Sequence, residues 1–324
     1  MTHPTLKRIV CSTLIASAFA LASHGASAAA PLAKASAPGY FRFMLGSFEV
    51  TALSDGTVDL PVEQLLSEKP AATRTALSRA FLATPLETSV NAYLINTGSK
   101  LVLIDTGAAG LFGPTLGKLL VNLKAAGYDA AQVDEVYLSH LHPDHVGGLL
   151  AGGAAAFPNA LVRADQRDTD FWLSQARMDQ APAASKGYFQ GAMGALKPYQ
   201  ATGKLQPFTG KTELTPGISA VPNYGHTPGH TVYSVTSEGK TLLLIGDMIH
   251  VGAVQFGAPG VTISFDSDSK AAAAARQTVF GQAARDGVLI GASHLAFPGL
   301  GHLRASGKGY DWLPMNYTEQ RQGH

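Results

Sequence analysis

The chain has 324 residues, 46% of them hydrophobic and 15% charged, with 24 basic side chains against 23 acidic ones and a formal net charge of +1. This length and apolar content suit a globular protein with one sizeable core, and the balanced charge, with no Lys/Arg run, argues against a nucleic-acid partner. The one cysteine, Cys11, excludes a disulfide framework, and because it lies in the N-terminal stretch that reads as an export signal, the mature chain would have no thiol to ligate a metal.

At the N-terminus, Lys7-Arg8, an apolar stretch over residues 9–22 and the small-residue site Ala26-Ser27-Ala28 read as an export signal over residues 1–28. The mature protein is therefore expected in the periplasm or outside the cell. The apolar run falls short of the roughly 20 residues a bilayer requires, so no membrane anchor is expected. Val10 ahead of Cys11 also does not suit a lipoprotein signal. Residues 29–40, rich in Ala, Pro and Lys, read as a flexible leader, and residues 41–324 as one domain.

Residues 48–53, 92–95 and 101–104 are β-rich and predict an antiparallel start to a sheet. Leu116, Leu119, Leu120 and Leu123 recur at helical spacing behind Pro114, and Gly127 stops them, which predicts an amphipathic helix. A strand over Val136-Tyr137-Leu138 follows, then helices over 165–178 and 186–199, strands over 231–236 and 241–245, an Ala-rich helix over 270–285 and a strand over 288–293. The class is α/β.

The strand at 136–138 runs directly into Ser139-His140-Leu141-His142-Pro143-Asp144-His145. Imidazole and carboxylate are borderline-to-hard ligands suited to zinc, iron, cobalt or manganese, and crowding several together is unfavourable unless a cation absorbs their lone pairs. A solvated turn with chance histidines is the bland alternative; H-x-H-x-D-H immediately after a strand is more specific than that. Two later strands end on Asp247 and His294, and His226 lies in Asn223-Tyr224-Gly225-His226-Thr227-Pro228-Gly229-His230. Ionisable residues that terminate apolar strands of an α/β sheet are placed for chemistry more often than for packing.

Through H-x-H-x-D-H, G-H-T-P-G-H, the Gly246-Asp247 and Ser293-His294 strand ends and Leu103-Ile104-Asp105-Thr106-Gly107, the chain resembles the metallo-β-lactamase superfamily. Within it, Leu86-Glu87-Thr88-Ser89-Val90, residues 105–114, Asp170-Phe171-Trp172-Leu173-Ser174-Gln175 and Phe265-Asp266-Ser267-Asp268-Ser269 are similar to the branch of methyl parathion hydrolases and dihydrocoumarin hydrolases. The resemblance implies an αββα sandwich, two mixed sheets flanked by helices with a dinuclear metal site at the sheet edge. His140, His142 and His226 would hold one divalent ion, and Asp144, His145 and His294 the other, with Asp247 bridging. Zinc is the first expectation, with manganese, cobalt or iron as alternatives. His230 competes with His226 for its role, and His302 with His294. Asp105 would support the ligands from behind or cap the next helix.

The implied chemistry is attack of a metal-bridging hydroxide on a carbonyl or phosphorus, with Asp144 or Asp247 relaying a proton. Phe112, Trp172 and Phe189 match the family's aromatic substrate wall, the alternative being ordinary core aromatics. Four positions depart from methyl parathion hydrolases: Leu65 replaces an Arg, His250 and Phe265 replace Leu, and Ile263 replaces a Thr. By resemblance all four surround the substrate pocket. They favour a dihydrocoumarin-type lactonase or arylesterase with promiscuous organophosphate hydrolysis over a phosphotriesterase proper. His250, third after Asp247, stands where acyl-homoserine-lactone lactonases place a Tyr and would donate to the lactone oxygen. A β-lactamase, a diiron redox protein and a non-catalytic metal binder are the lesser alternatives. The expected partners are a small lactone, ester or organophosphate and a second copy of the chain.

Overall fold

The computed structural model describes residues 36–318 together with residues 1, 30 and 32–34. Apart from Met1, the expected export signal lies outside the described residues. Residues 30, 32–34 and 36–39 are in no helix or strand, and the first strand begins at Tyr40.

Two strands, β1 (Tyr40–Leu45) and β2 (Phe48–Leu60), form a hairpin in which Leu45 pairs with Phe48. The turn needs Gly46 at φ +58°, where a Cβ would be strained. β2 outruns the strand expected over 48–53 because a bulge between Ser54 and Gly56 lets it stay paired with the next strand. Two helices, α1 (Val62–Leu65) and α2 (Pro70–Arg79), precede the antiparallel pair β3 (Leu86–Asn96) and β4 (Leu101–Ile104). The helix expected from Leu116 is α3 (Leu119–Ala125), one turn later, because Gly117 takes φ +85° and cannot lie inside a right-handed helix.

The short strand β5 (Glu135–Tyr137) leads to α4 (Pro143–Val146), a small ribbon of β6 (Leu150–Ala151) and β7 (Ala154–Ala155), and β8 (Leu161–Arg163). The single helix expected over 165–178 is two, α5 (Gln166–Trp172) and α6 (Gln175–Gln180), because Ser174 accepts a hydrogen bond from the Arg177 N–H and starts a second helix. Next come α7 (Ala183–Ala201), β9 (Thr212–Thr215), β10 (Ile218–Pro222), β11 (Thr231–Ser237) and β12 (Lys240–Leu244). The chain continues through α8 (Gly252–Gln255), α9 (Ser269–Asp286), β13 (Leu289–Gly291), β14 (Leu300–Ser306) and β15 (Gly309–Pro314). Asp268 caps α9 by accepting from Ala271 N at 2.9 Å, and Gly287 closes it at φ +64°.

One sheet has the order β1-β2-β3-β4-β5-β8 and the other β15-β14-β13-β12-β11-β10-β9. Both are mixed: β4, β5 and β8 run parallel, as do β12 and β13, and the remaining pairs are antiparallel. Alternation along β3 sorts its side chains between two layers. Tyr93 and Ile95 face the second sheet, against Ala220, Tyr233, Val235 and Leu244, whereas Ala92 and Leu94 face α3 and α7. On the outer face of the second sheet, Ile245, Ile290 and Leu303 pack on Phe280 and Ala283 of α9. The layers are helix, sheet, sheet, helix. Fully burying one such aliphatic or aromatic side chain is worth about 1.5–3 kcal/mol, so one cluster fixes the two sheets against each other and the other two fix the helices onto their outer faces. The parallel pairs β4/β5 and β12/β13 then aim their C-terminal ends at one edge, where backbone ends and side chains are free to converge on a ligand.

Candidate metal centre

Three strand ends deliver the central residues. β5 runs out through Leu138 and Ser139 to His140 and His142, and Pro143 at the first position of α4 turns Asp144 and His145 back toward the same point. β12 ends three residues before Asp247, and β13 three residues before His294. His226 arrives from the loop between β10 and β11.

The result is two donor sets sharing one carboxylate. His140, His142, His226 and Asp247 form one, Asp144, His145, His294 and Asp247 the other, and the donor atoms within each set lie within 4.8 Å of one another. Asp247 Oδ2 is 3.3 Å from His226 Nε2 and 3.6 Å from His140 Nε2, while Asp247 Oδ1 is 3.1 Å from His145 Nε2. His294 Nε2 lies 3.1 Å from Asp247 Oδ2 and 3.5 Å from Asp144 Oδ2. All of these residues except the half-buried Asp144 are buried, and His140 Nε2, His145 Nε2 and Asp247 Oδ1 have no hydrogen-bond partner. Buried orphan donors and acceptors are costly unless something satisfies them. Convergent imidazole and carboxylate lone pairs are the arrangement two divalent cations satisfy, so the residues fit the metal pair.

The far ring nitrogens are committed elsewhere, which fixes which lone pair faces the centre. His145 Nδ1 lies 2.9 Å from Asp105 Oδ2, His226 Nδ1 2.9 Å from Asp266 Oδ1, and His294 Nδ1 2.9 Å from the Ser89 carbonyl. Asp105, at φ +61°, also accepts from Ser139 N and Ser139 Oγ, each at 2.7 Å. It therefore braces both the strand end and one imidazole, and caps no helix. Of the competing histidines, His230 accepts from Asp247 N at Nε2 (3.1 Å) and turns Nδ1 to the Asn223 carbonyl (3.2 Å), so it has no lone pair left for an ion. Burial pushes it down to about 3, which keeps it neutral. His302 sits on β14 with Nδ1 against the Gly287 and Val288 carbonyls, in neither donor set.

Charge is tightly linked across the site. Burial holds His140 and His142 well below the usual imidazole value, and the neighbouring imidazoles act in the same direction. Burial also opposes charge on His145 and His226, but the carboxylates around them outweigh it. Asp247, Asp105 and Asp144 raise His145 well above its ordinary value, and Asp247 and Asp266 raise His226 to about 9. Burial would raise Asp247, yet His145, His294, His140 and His250 together hold it well below the carboxylate range.

A chamber of about 20 Å³ lies over the donor sets, walled by Phe112, Tyr188, His250 and Phe265. It shares His142, Tyr188 and Phe265 with a groove of about 570 Å³ lined by Trp172, Phe189 and Phe171. Trp172 and Phe189 are also core residues, their ring centroids 4.7 Å apart, so wall and core are one stack here. His250 Nε2 is 3.2 Å from Asp247 Oδ2, and its ring stacks on His294 at 4.8 Å. Burial lowers its pKa to about 4. Leu65 and Ile263 line neither cavity. They pack with Leu60, Val62 and Val254, because the bridge between Leu66 and Ile263 turns this stretch into the layer behind Phe265.

Tyr188, Asp266 and Asp168 also belong to the site, and the sequence pattern does not reveal them. Nothing in a sequence marks Tyr188, one of many aromatics in a helix; Asp266 stands in a string already quoted for the resemblance, where its partnership with His226 was the missing information.

The sequence profile of the metallo-beta-lactamase superfamily matches residues 86–294, a span that starts at β3 and ends on His294. The chain belongs to the metallo-beta-lactamase superfamily. Among members of solved structure, it is 36% identical to the hydrolase AbOPH, with a TM-score of 0.84 over 88% of this chain and 100% of that one. It is 29% identical to AidC, a dizinc quorum-quenching lactonase solved with a homoserine product, with a TM-score of 0.80 over 87% of this chain and 99% of that one. An N-acyl homoserine lactonase of Bacillus sp is 29% identical over 181 residues, which is 49% of this chain and 64% of that protein. The chain thus spans less than two thirds of the length of the curated relatives it matches. No helix among the described residues is long and apolar enough to cross a membrane.

Proposed function

We propose that this superfamily member is an exported two-metal hydrolase that opens lactones and cleaves aryl esters, with phosphotriesters as slower substrates. The observation that carries the reading is the pair of donor sets joined at Asp247 beneath a chamber that is itself bounded by aromatic rings. A cavity needs roughly 10–15 Å³ of accessible space to hold one water, so about 20 Å³ admits a water or a scissile group but not an aryl ring. The body of the substrate then lies in the adjoining groove against Trp172, Tyr188 and Phe265, where planar apolar groups find the largest contact.

His140, His142 and His226 would hold one ion, Asp144, His145 and His294 the second, and Asp247 both. Zinc is the ion we assign, on the histidine-rich donor chemistry and the dizinc relative. Two such cations supply a water of lowered pKa and Lewis acidity toward the electrophile's oxygen. The remaining roles belong to the chain. Asp144, half-buried at the chamber edge, is placed to hold and pass on a proton, and Asp247 stays ionised and orients its neighbours. His250 is neutral and borders the chamber, and its one N–H, directed from Nε2 at Asp247 Oδ2 at 3.2 Å, is the donor it would share with a substrate oxygen. His250 and Phe265 also narrow the chamber, which suits a planar ester better than a tetrahedral phosphotriester.

The test is kcat/KM for dihydrocoumarin, an N-acyl homoserine lactone and methyl parathion on one preparation of known metal content. Either lactone should exceed methyl parathion by orders of magnitude. Methyl parathion as the best substrate would reverse the assignment and make phosphotriester hydrolysis the main activity.

A further inference from the structure

Asp168, in the first turn of α5, is fully buried, is in neither donor set, and is not needed to cap its helix, which Asp165 caps. Its two oxygens accept three hydrogen bonds. Oδ2 takes Leu141 N at 3.0 Å and Thr227 Oγ1 at 2.9 Å, and Oδ1 takes Gly229 N at 2.5 Å. Leu141 lies between His140 and His142, and Thr227 directly follows His226. One carboxylate therefore ties together the two loops that supply all three imidazoles of a single donor set.

The local geometry is built for this. Gly229 approaches so closely that a Cβ there would meet Asp168 N at 2.6 Å and its Cβ and Oδ1 at 3.0 Å, so only glycine admits the carboxylate. At the cap of the same helix, Asp165 Oδ2 accepts from Tyr224 Oη at 3.0 Å, a second tie from this element to the His226 loop. The other donor set is braced from different elements, by Asp105 through His145 and by the Ser89 carbonyl through His294. None of the three donors to Asp168 comes from a residue of that set.

We infer that Asp168 is the positioning residue for one metal site alone: by clamping the 140–142 loop to the 226–229 loop it sets the affinity of the His140/His142/His226 site and leaves the Asp144/His145/His294 site unchanged. The inference rests on the two-metal reading above. Asp168→Asn keeps the shape but puts an amide NH₂ where at least one N–H or O–H donor must be accepted, leaving a buried donor facing a donor. Outer-shell changes of this kind typically weaken metal binding by about 10–100-fold.

The experiment is zinc competition against a chromophoric chelator for the whole wild-type chain, D168N, H294A and the double variant D168N/H294A, with circular dichroism to confirm folding. The wild type should hold two ions. D168N should keep one at wild-type affinity and bind the other about 10–100-fold more weakly, and the double variant should hold no tight ion. A purely structural role would lower both affinities together and would overturn the inference, as would two ions held by D168N at wild-type affinity. If D168N does not fold, Thr227→Val removes one of the three bonds with little change of shape. It should weaken one ion, and two unchanged affinities would overturn the inference. A wild type that takes up no zinc overturns the two-metal reading itself, and this result separates that failure from a failure of Asp168.

Discussion

Asp105→Asn is the sharpest test of how the Asp144/His145/His294 set would hold an ion. Asp105 sits at φ +61°, a conformation Asn tolerates nearly as well as Asp, so the substitution leaves the backbone turn intact. The amide oxygen can still accept from Ser139 N, and Ser139 Oγ can reverse its role. His145 Nδ1, 2.9 Å from the position the NH₂ would occupy, cannot donate to it. The imidazole must either face a donor with its own N–H or move its proton to Nε2, the atom that points at Asp247 and Asp144. Either choice opposes an ion in the Asp144/His145/His294 set. A hydrogen bond to a charged group contributes about 1.5–3 kcal/mol, and about 1.4 kcal/mol is a tenfold change, so affinity should fall by about 10–100-fold at this site. Chelator competition with zinc reads it directly, with the His140/His142/His226 site unaffected. Asp105→Ala should be worse, since Ala adds backbone strain at this φ. Two ions bound by D105N at wild-type affinity would refute the reasoning.

Other expected outcomes follow from the same geometry. His226 is raised to about 9 in the metal-free protein, so the stability its proton contributes is complete below pH 6.5 and is lost as pH rises through about 9. Zinc must displace that proton, so zinc affinity should rise with pH over the same window. Calorimetry in buffers of different ionisation enthalpy should show proton release near neutral pH that diminishes by the His226 share as pH passes about 9, and binding without release would contradict the assignment. His250→Leu should lower lactone turnover and raise turnover of methyl parathion; if neither changes, His250 has no part in substrate choice. The N-terminus of protein recovered from the periplasm or medium should be Ala29, by sequencing. Recovery of the intact chain only from the cytoplasm would contradict export.

The layers and the convergent His/Asp residues are legible for different reasons. Strands such as Leu101–Ile104 and the helix at Ser269–Asp286 announce themselves by local pattern, and the histidines at 140, 142 and 145 are crowded too closely to be incidental. What was hidden depends on contacts between distant parts of the chain. Ser89 supports His294 with its main-chain carbonyl, which no side-chain pattern can reveal. Asp168 looks like one more polar residue early in a helix until folding brings Leu141, Thr227 and Gly229 onto it. The break between α5 and α6 turns on Ser174, a capping residue hidden in the sequence because the apolar pattern continues on both sides of it. The resemblance puts Leu65 and Ile263 at the pocket, and their packing with Leu60, Val62 and Val254 shows that proximity in a motif string does not say which face of a turn a side chain takes.

The most direct test of the two-metal hydrolase follows metal content and dihydrocoumarin turnover on one sample as zinc is returned to chelated protein. Turnover should be absent in the chelated protein and should rise to a plateau at two ions per chain, with His226→Ala and His294→Ala each unable to reach it. Turnover that survives chelation, or its absence at every zinc loading, would contradict the account.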